Sequence, residues 1–315
     1  MPLPVTPDQI RAAHERIRGH VLRTPLLPLG PTLDADVTLK LELVQHAGSF
    51  KTRGAFNTLL SRSVPPAGVT AASGGNHDVA VALAAATLGH RATIFVPEIA
   101  SPVKIDAIRR HGAEVVVGGA RYADAQAACD THAALTGALL VHPYDAVETL
   151  AGQGTVAAEW EHDQAAMGLA ALDTVLVACG GGGLVAGMAA GWAGRVRVVA
   201  VEPEGSRCLH AALEAGEPVD VAVESVAADS LGARRIGVLP FAVAQVAIER
   251  VVLVTDTAIL SAQAQLWRDW RIASEPGGAA AFAALASGAY RPAAGERVGI
   301  LLCGGNVDPA RLATL

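Results

Sequence analysis

Lysine is nearly absent from this 315-residue chain: Lys40, Lys51 and Lys104 are the only three among 24 basic residues. Arginine does not give up its proton and cannot form a Schiff base, whereas a lysine amine can be tuned as nucleophile and base. Each retained lysine is therefore a candidate for chemistry. Cysteine is also sparse. Cys129, Cys179, Cys208 and Cys303 form no CxxC pair and show no ligand-like spacing to histidine. That argues against a disulfide framework or a zinc site and points to a reducing cytoplasm. Basic clusters are missing too: nothing exceeds pairs such as Arg109-Arg110 and Arg234-Arg235, and the formal net charge is -6. Neither nucleic acid nor an anionic membrane is an expected partner. No linker, internal repeat or signal peptide is visible. Thr6-Pro7-Asp8-Gln9 reads instead as a capping box opening a helix that runs to about Gly19.

What the chain does have is apolar residues, at 51%, and 33 glycines, with aromatics at only 4%. This mixture suits an α/β protein of Ala-rich helices and Val/Leu-rich buried strands. Arg91–Val96 reads as a strand, about Pro102–His111 as a helix, and Ala113–Val117 as the next strand. A helix over Tyr122–Leu135 leads to the strand Ala138–Val141. Later come the strand Thr174–Ala178, a helix from about Leu184, and the strands Val196–Val201 and Val298–Leu302. That alternation predicts parallel sheets with helices on both faces. Thr174–Gly194 has no charge and the length of a membrane span, but four glycines at 180–183 break it, so the chain reads as soluble.

Four segments carry candidate chemistry. Lys51 sits in Gly48-Ser49-Phe50-Lys51-Thr52-Arg53-Gly54, a turn leading into a helix; alone, it could equally be a solvated lysine. Ala72-Ser73-Gly74-Gly75-Asn76-His77 precedes an Ala-rich helix over roughly Asp78–Leu88. Free amides at such a helix start make a carboxylate cradle, although Ser and Asn are also ordinary caps. Cys179 is followed by Gly180, Gly181, Gly182, Gly183 and Leu184, a strand feeding a glycine run that opens a helix. Converging amides and the helix dipole there suit a phosphate. A loose GxGxxA (Gly181, Gly183, Ala186) with Glu202 about 20 residues on keeps a dinucleotide reading open. Finally, Leu302-Cys303-Gly304-Gly305-Asn306 closes the last strand, either as a tight turn or as part of a site.

In this order the segments resemble the fold-type II pyridoxal-phosphate (PLP) enzymes, specifically the serine/threonine dehydratase (ammonia-lyase) and serine racemase group. Further matches are Arg23–Leu26, Leu39–Glu42, Val141-His142-Pro143, Ala151–Thr155, Val201-Glu202-Pro203, Ala228-Asp229 and Glu275-Pro276. The resemblance implies an α/β fold of the tryptophan synthase β-like kind: two parallel-sheet, three-layer lobes with PLP in the cleft between them. It implies a large domain of residues 1–67 plus 146–315 and a small domain of 68–145. Lys51 would carry PLP as a Schiff base and shuttle the α-proton. Phe50 would pack beside the ring, Asn76 would bond its 3-hydroxyl, and Gly180–Leu184 would cradle the phosphate. Cys303 would face the pyridine nitrogen. Ser73, Gly74, Gly75, Asn76 and His77 would surround the substrate carboxylate.

The implied activity is β-elimination of water from L-threonine or L-serine, releasing a 2-oxo acid and ammonia, in a cytoplasmic homodimer. A thiol cannot keep the pyridine protonated as an aspartate would, and the weaker electron sink fits elimination. Departures from the group's pattern matter. Gly74 stands where racemases place a serine acid/base, so racemisation should be poor. Val44, His46, Ala47 and Asp78 are also unusual, which leaves another β-hydroxy amino acid, such as hydroxyaspartate, as an alternative substrate, with a serine racemase-like enzyme as the other alternative. Cys208 replaces an acidic position of the racemases' cation site, so no metal is expected. A nicotinamide oxidoreductase would leave Lys51, Asn76 and Cys303 unexplained.

Overall fold

The computed structural model describes residues 3–73, 75–100, 102–308 and 310. The chain opens with α1 (Pro7–Ile17), whose Thr6 and Gln9 form the expected capping box. It continues through β1 (Leu26–Thr32), β2 (Ala35–Lys40) and α2 (Lys51–Ser61). Next come β3 (Val69–Ala72), α3 (Asn76–Thr87), β4 (Ala92–Val96), α4 (Pro102–Arg109), β5 (Glu114–Val117), α5 (Tyr122–Thr136) and β6 (Leu139–Leu140). The long α6 (Val147–Ala166) leads to β7 (Thr174–Ala178), α7 (Gly183–Trp192) and β8 (Arg197–Pro203). The remainder is α8 (Cys208–Ala215), α9 (Ala228–Leu231), α10 (Val238–Ala247), β9 (Arg250–Val254), α11 (Asp256–Trp270), α12 (Pro276–Ala286) and β10 (Arg297–Leu301). Among the described residues no helix is long and apolar enough to cross a membrane.

Two sheets organise these elements. One runs β1-β2-β10-β7-β8-β9 and the other β5-β4-β3-β6. All pairings are parallel except β1 with β2, an antiparallel edge hairpin that the strand–helix alternation does not foretell. Its turn residues Leu33 and Asp34 take φ of 50° and 60°, a conformation usually signalled by Asn or Gly. The central strands β4 and β7 are buried along their whole length, as expected for sheets covered on both faces.

A polar network at the heart of the molecule ties β2 to α2 and α6. The Lys40 amine, fully buried, donates to Glu159 at 2.6 Å and to the Thr24 carbonyl at 2.7 Å. Arg53, on the α2 turn that begins at Lys51, donates to Glu42 at 2.7 Å and to Glu159 at 2.9 Å. Lys40 is thereby committed to structure. Ile17, Ala55, Phe56 and Leu59 also join the apolar cluster of the four-stranded sheet, so α2 packs at the seam between the sheets.

Candidate functional site

Two segments about 250 residues apart lie side by side. Phe50 N donates to the Cys303 carbonyl at 3.1 Å, Gly305 N to the Gly48 carbonyl at 2.9 Å, and Ser49 bridges to Gly304. The turn before α2 is thus pinned to the end of β10, and Lys51 is the first residue of α2. Its amine donates to the Pro143 carbonyl at 2.7 Å and stands 5.3 Å from the centre of the Phe50 ring. Desolvation lowers the Lys51 pKa to about 8, against opposing pulls from Cys303, Asp78 and Glu275. At pH 7 that leaves about a tenth of the amine neutral, roughly 300-fold more than at its ordinary value.

Cys303 is buried, and its thiol points to the Gly277 carbonyl at 3.7 Å. Burial and the neighbouring Glu275 push the thiol well above its usual range, so it stays protonated.

The helix after Ser73 starts at Asn76, two residues earlier than the sequence pattern suggests, with no side-chain cap at Gly75. Ser73 Oγ accepts from Gly75 N at 3.2 Å. Asn76 is buried and bonded to Glu275 and Asn306, residues of the six-stranded-sheet side. The His77 ring donates from Nε2 to the Val141 carbonyl at 2.8 Å, and desolvation lowers its pKa to about 3. His77 therefore offers the site its place in the first turn, with its ring committed elsewhere. Gly74, expected beside the substrate carboxylate, lies outside the described residues.

The glycine loop leaves β7 and opens α7. Gly182 has φ of 90°, a conformation natural to glycine, and no side chain caps the helix. A Cβ at Gly181 would overlap the Tyr144 ring, and one at Gly183 would crowd the Tyr144 backbone. The loop is closed to side chains and keeps helix-start amides available for an anion. Gly181→Ala is expected to displace this loop at a cost of about 1–3 kcal/mol. Cofactor affinity, read by titrating PLP into stripped protein, should weaken roughly ten- to hundredfold. The dinucleotide reading loses its acidic partner here. Glu202 is fully buried and accepts from Leu209 N at 2.8 Å and His210 N at 2.9 Å, capping α8.

Two further residues, Pro143 and Asp78, have no role expected from sequence, and Lys104 is a candidate only by the scarcity of lysine. Pro143 takes part only through its carbonyl, invisible to any residue-type search. Asp78 is fully buried in the first turn of α3 with neither carboxylate oxygen partnered among the described residues, and desolvation raises its pKa well above the usual range. Lys104 pairs with Asp229 at 2.6 Å, linking α4 to α9 beside Gly75.

Two parallel-sheet layers with a lysine at a helix start and a glycine cradle at a strand end define a fold-type II PLP enzyme. Residues 17–304 match the family model described as pyridoxal-phosphate dependent enzyme. The chain belongs to the pyridoxal-phosphate-dependent enzymes. It is 38% identical to phenylserine dehydratase of Ralstonia pickettii, across 96% of this chain and 94% of that protein. It is 36% identical to biosynthetic L-threonine dehydratase of Salmonella typhimurium, across 98% of this chain and 61% of that protein's length. Among solved structures, maize serine racemase aligns with a TM-score of 0.91 at 32% identity, covering 98% of this chain and 96% of that one. The processed form of threonine deaminase isoform 2 from Solanum lycopersicum aligns at 0.89 and 29% identity, covering 98% and 92%.

Proposed function

We propose that this protein is a dehydratase of β-hydroxy amino acids that eliminates water and releases a 2-oxo acid and ammonia. Bound PLP supplies an electron sink for the α-carbon; the protein's residues do the rest. Lys51 would hold the cofactor through its amine, and the neutral amine would take the substrate's α-proton. Phe50 would flank the ring, Asn76 would donate to its 3-oxygen, and Gly180, Gly181, Gly182, Gly183 and Leu184 would receive the phosphate. Ser73, Gly74, Gly75, Asn76 and His77 would hold the substrate carboxylate. The residues present fit the cofactor: the lysine is desolvated, and the glycine cradle is one that side chains would fill.

The observation that carries this reading is the Lys51 amine at the start of α2, on a turn pinned through Phe50 N to the Cys303 carbonyl at the end of β10. Cys303 would meet the ring nitrogen of bound PLP with a thiol, and a thiol there would make the cofactor a modest electron sink suited to loss of a β-leaving group. L-Threonine and L-serine are the first substrates to test, with L-phenylserine beside them because of the Ralstonia relative. Turnover of any one, read as 2-oxo acid and ammonia in equal amounts, supports the reading. Racemisation without 2-oxo acid would replace it with a racemase.

A pH effect follows from the lysine. Capture of PLP by stripped protein needs the neutral amine, so its rate should rise with pH and level off above about 8. Stopped-flow absorbance checks this; a rate still climbing tenfold per unit at pH 9 would contradict the lowered pKa.

Residues 68–145, which hold all four strands of the smaller sheet, form a small domain beside the large domain of 1–67 plus 146–315, with α2 at the seam. Homodimeric assembly and a cytoplasmic location complete the proposal; four free, buried cysteines are consistent with a reducing compartment. Light scattering of the purified protein decides between monomer and dimer.

A further inference from the structure

We infer that Glu275 is a positioning residue that acts through Asn76, setting the hydrogen bond this side chain offers to the cofactor's ring oxygen. The inference rests on the PLP reading of the site and adds a group that it does not use.

The polarity of the network is fixed from its far end. The Ala47 carbonyl can only accept, so the side-chain group 2.8 Å from it must be the nitrogen of Asn306. The same nitrogen donates its other proton to Asn76 Oδ1 at 2.7 Å. Asn76 is left with Nδ2 facing Glu275, to which it donates at 2.6 Å. An amide nitrogen has two protons, so one remains for a ligand. Asn76 belongs to α3 of the smaller sheet, whereas Glu275 and Asn306 belong to the segments before α12 and after β10. The amide is therefore held from two sides by the opposite wall of the cleft.

Glu275 is free for this role. It stands at the start of α12, yet its carboxylate caps nothing there; its main chain makes the local contact, donating to the Gly304 carbonyl at 3.1 Å. Gly304 also provides the room, because a Cβ at that position would overlap Glu275 Oε1 and crowd Asn76 Nδ2. Burial pushes the Glu275 pKa up to about 7, resisted by Asn76, Lys104 and Lys51 and helped by Asp229; the Cys303 thiol also feels its charge. Below neutrality the group is an uncharged acid, and above it a carboxylate. A carboxylate one amide away disfavours negative charge on the ring oxygen, so ionisation of Glu275 should hold a proton at the cofactor.

The test is a visible absorption titration of the PLP-loaded protein between about pH 5.5 and 9. Wild type should show a spectral transition centred near 7. Glu275→Gln, which keeps the shape and removes the charge, should load cofactor, lose that transition, and lower kcat about tenfold with little change in KM. Asn306→Ala, at an exposed side chain, should keep the fold and displace the transition. If Glu275→Gln loads poorly, the Asn306→Ala titration decides the matter. A Glu275→Gln or Asn306→Ala titration matching wild type overturns the inference, as does a wild-type spectrum that does not change with pH. Failure of wild type to take up PLP at all would instead sink the reading of the site itself.

Discussion

Lys51→Ala should fold like wild type and lose turnover by at least about 10²–10⁴-fold, the contribution typical of a positioned base. The full loss should be larger, because the same amine would also anchor the cofactor and its removal takes both functions together. Folding should survive for a local reason. Lys51 is the first residue of α2, and its amine donates one hydrogen bond, to a main-chain carbonyl. Turnover with saturating PLP and far-ultraviolet circular dichroism measured on one preparation separate the two effects. A variant retaining a tenth of wild-type activity would mean that Lys51 is not the base. Lys51→Arg makes the stricter control: it keeps the positive charge but cannot supply a neutral amine, so it should be equally inactive.

The second large effect concerns stability. Glu159→Ala should cost about 3–5 kcal/mol, because it leaves buried cations without their shared partner. Burial alone would raise the Glu159 pKa; Arg53 and Lys40 outweigh it and hold the group at about 2. Lys40 would retain only Asp163, at 3.3 Å, among acidic partners, while Arg53 would keep Glu42. The folded-state pKa is depressed, so the stabilisation from Glu159 is complete above about 4.5 and is lost as pH falls toward 2. Urea unfolding at pH 7 and pH 3.5 tests both statements. The variant should be much weaker at pH 7 and closer to wild type at pH 3.5. A loss below 1 kcal/mol would show that the network is not holding α2. Since Arg53 lies two residues after Lys51, partial inactivation should accompany the loss.

The strand Thr174–Ala178 was legible because an uncharged, mostly apolar run leads through Cys179 to four glycines, and β7 spans the same residues. The capping box at Thr6 was legible because its logic is local. The β1–β2 hairpin was not: its turn is Leu33-Asp34, with no Gly or Asn to announce the positive φ. Roles within the site follow the same division. Lys51 and the glycine loop are candidates by residue type and spacing, but each alone leaves a second reading open, a solvated lysine and a dinucleotide site. Glu275 and Asn306 belonged to recognisable motifs, but their bonds to Asn76 span 199 and 230 residues and exist only once the two sheets meet. Lys40 shows the opposite outcome, since scarcity made it a candidate for chemistry and the fold places it among buried carboxylates.

The most direct test of the central claim is to reduce the PLP-loaded protein with borohydride, digest it, and map the modified peptide by mass spectrometry. Lys51 should carry the reduced cofactor in close to one copy per chain, with Lys40 and Lys104 unmodified. Label on Lys104, spread over several amines, or absent from the chain would contradict the account.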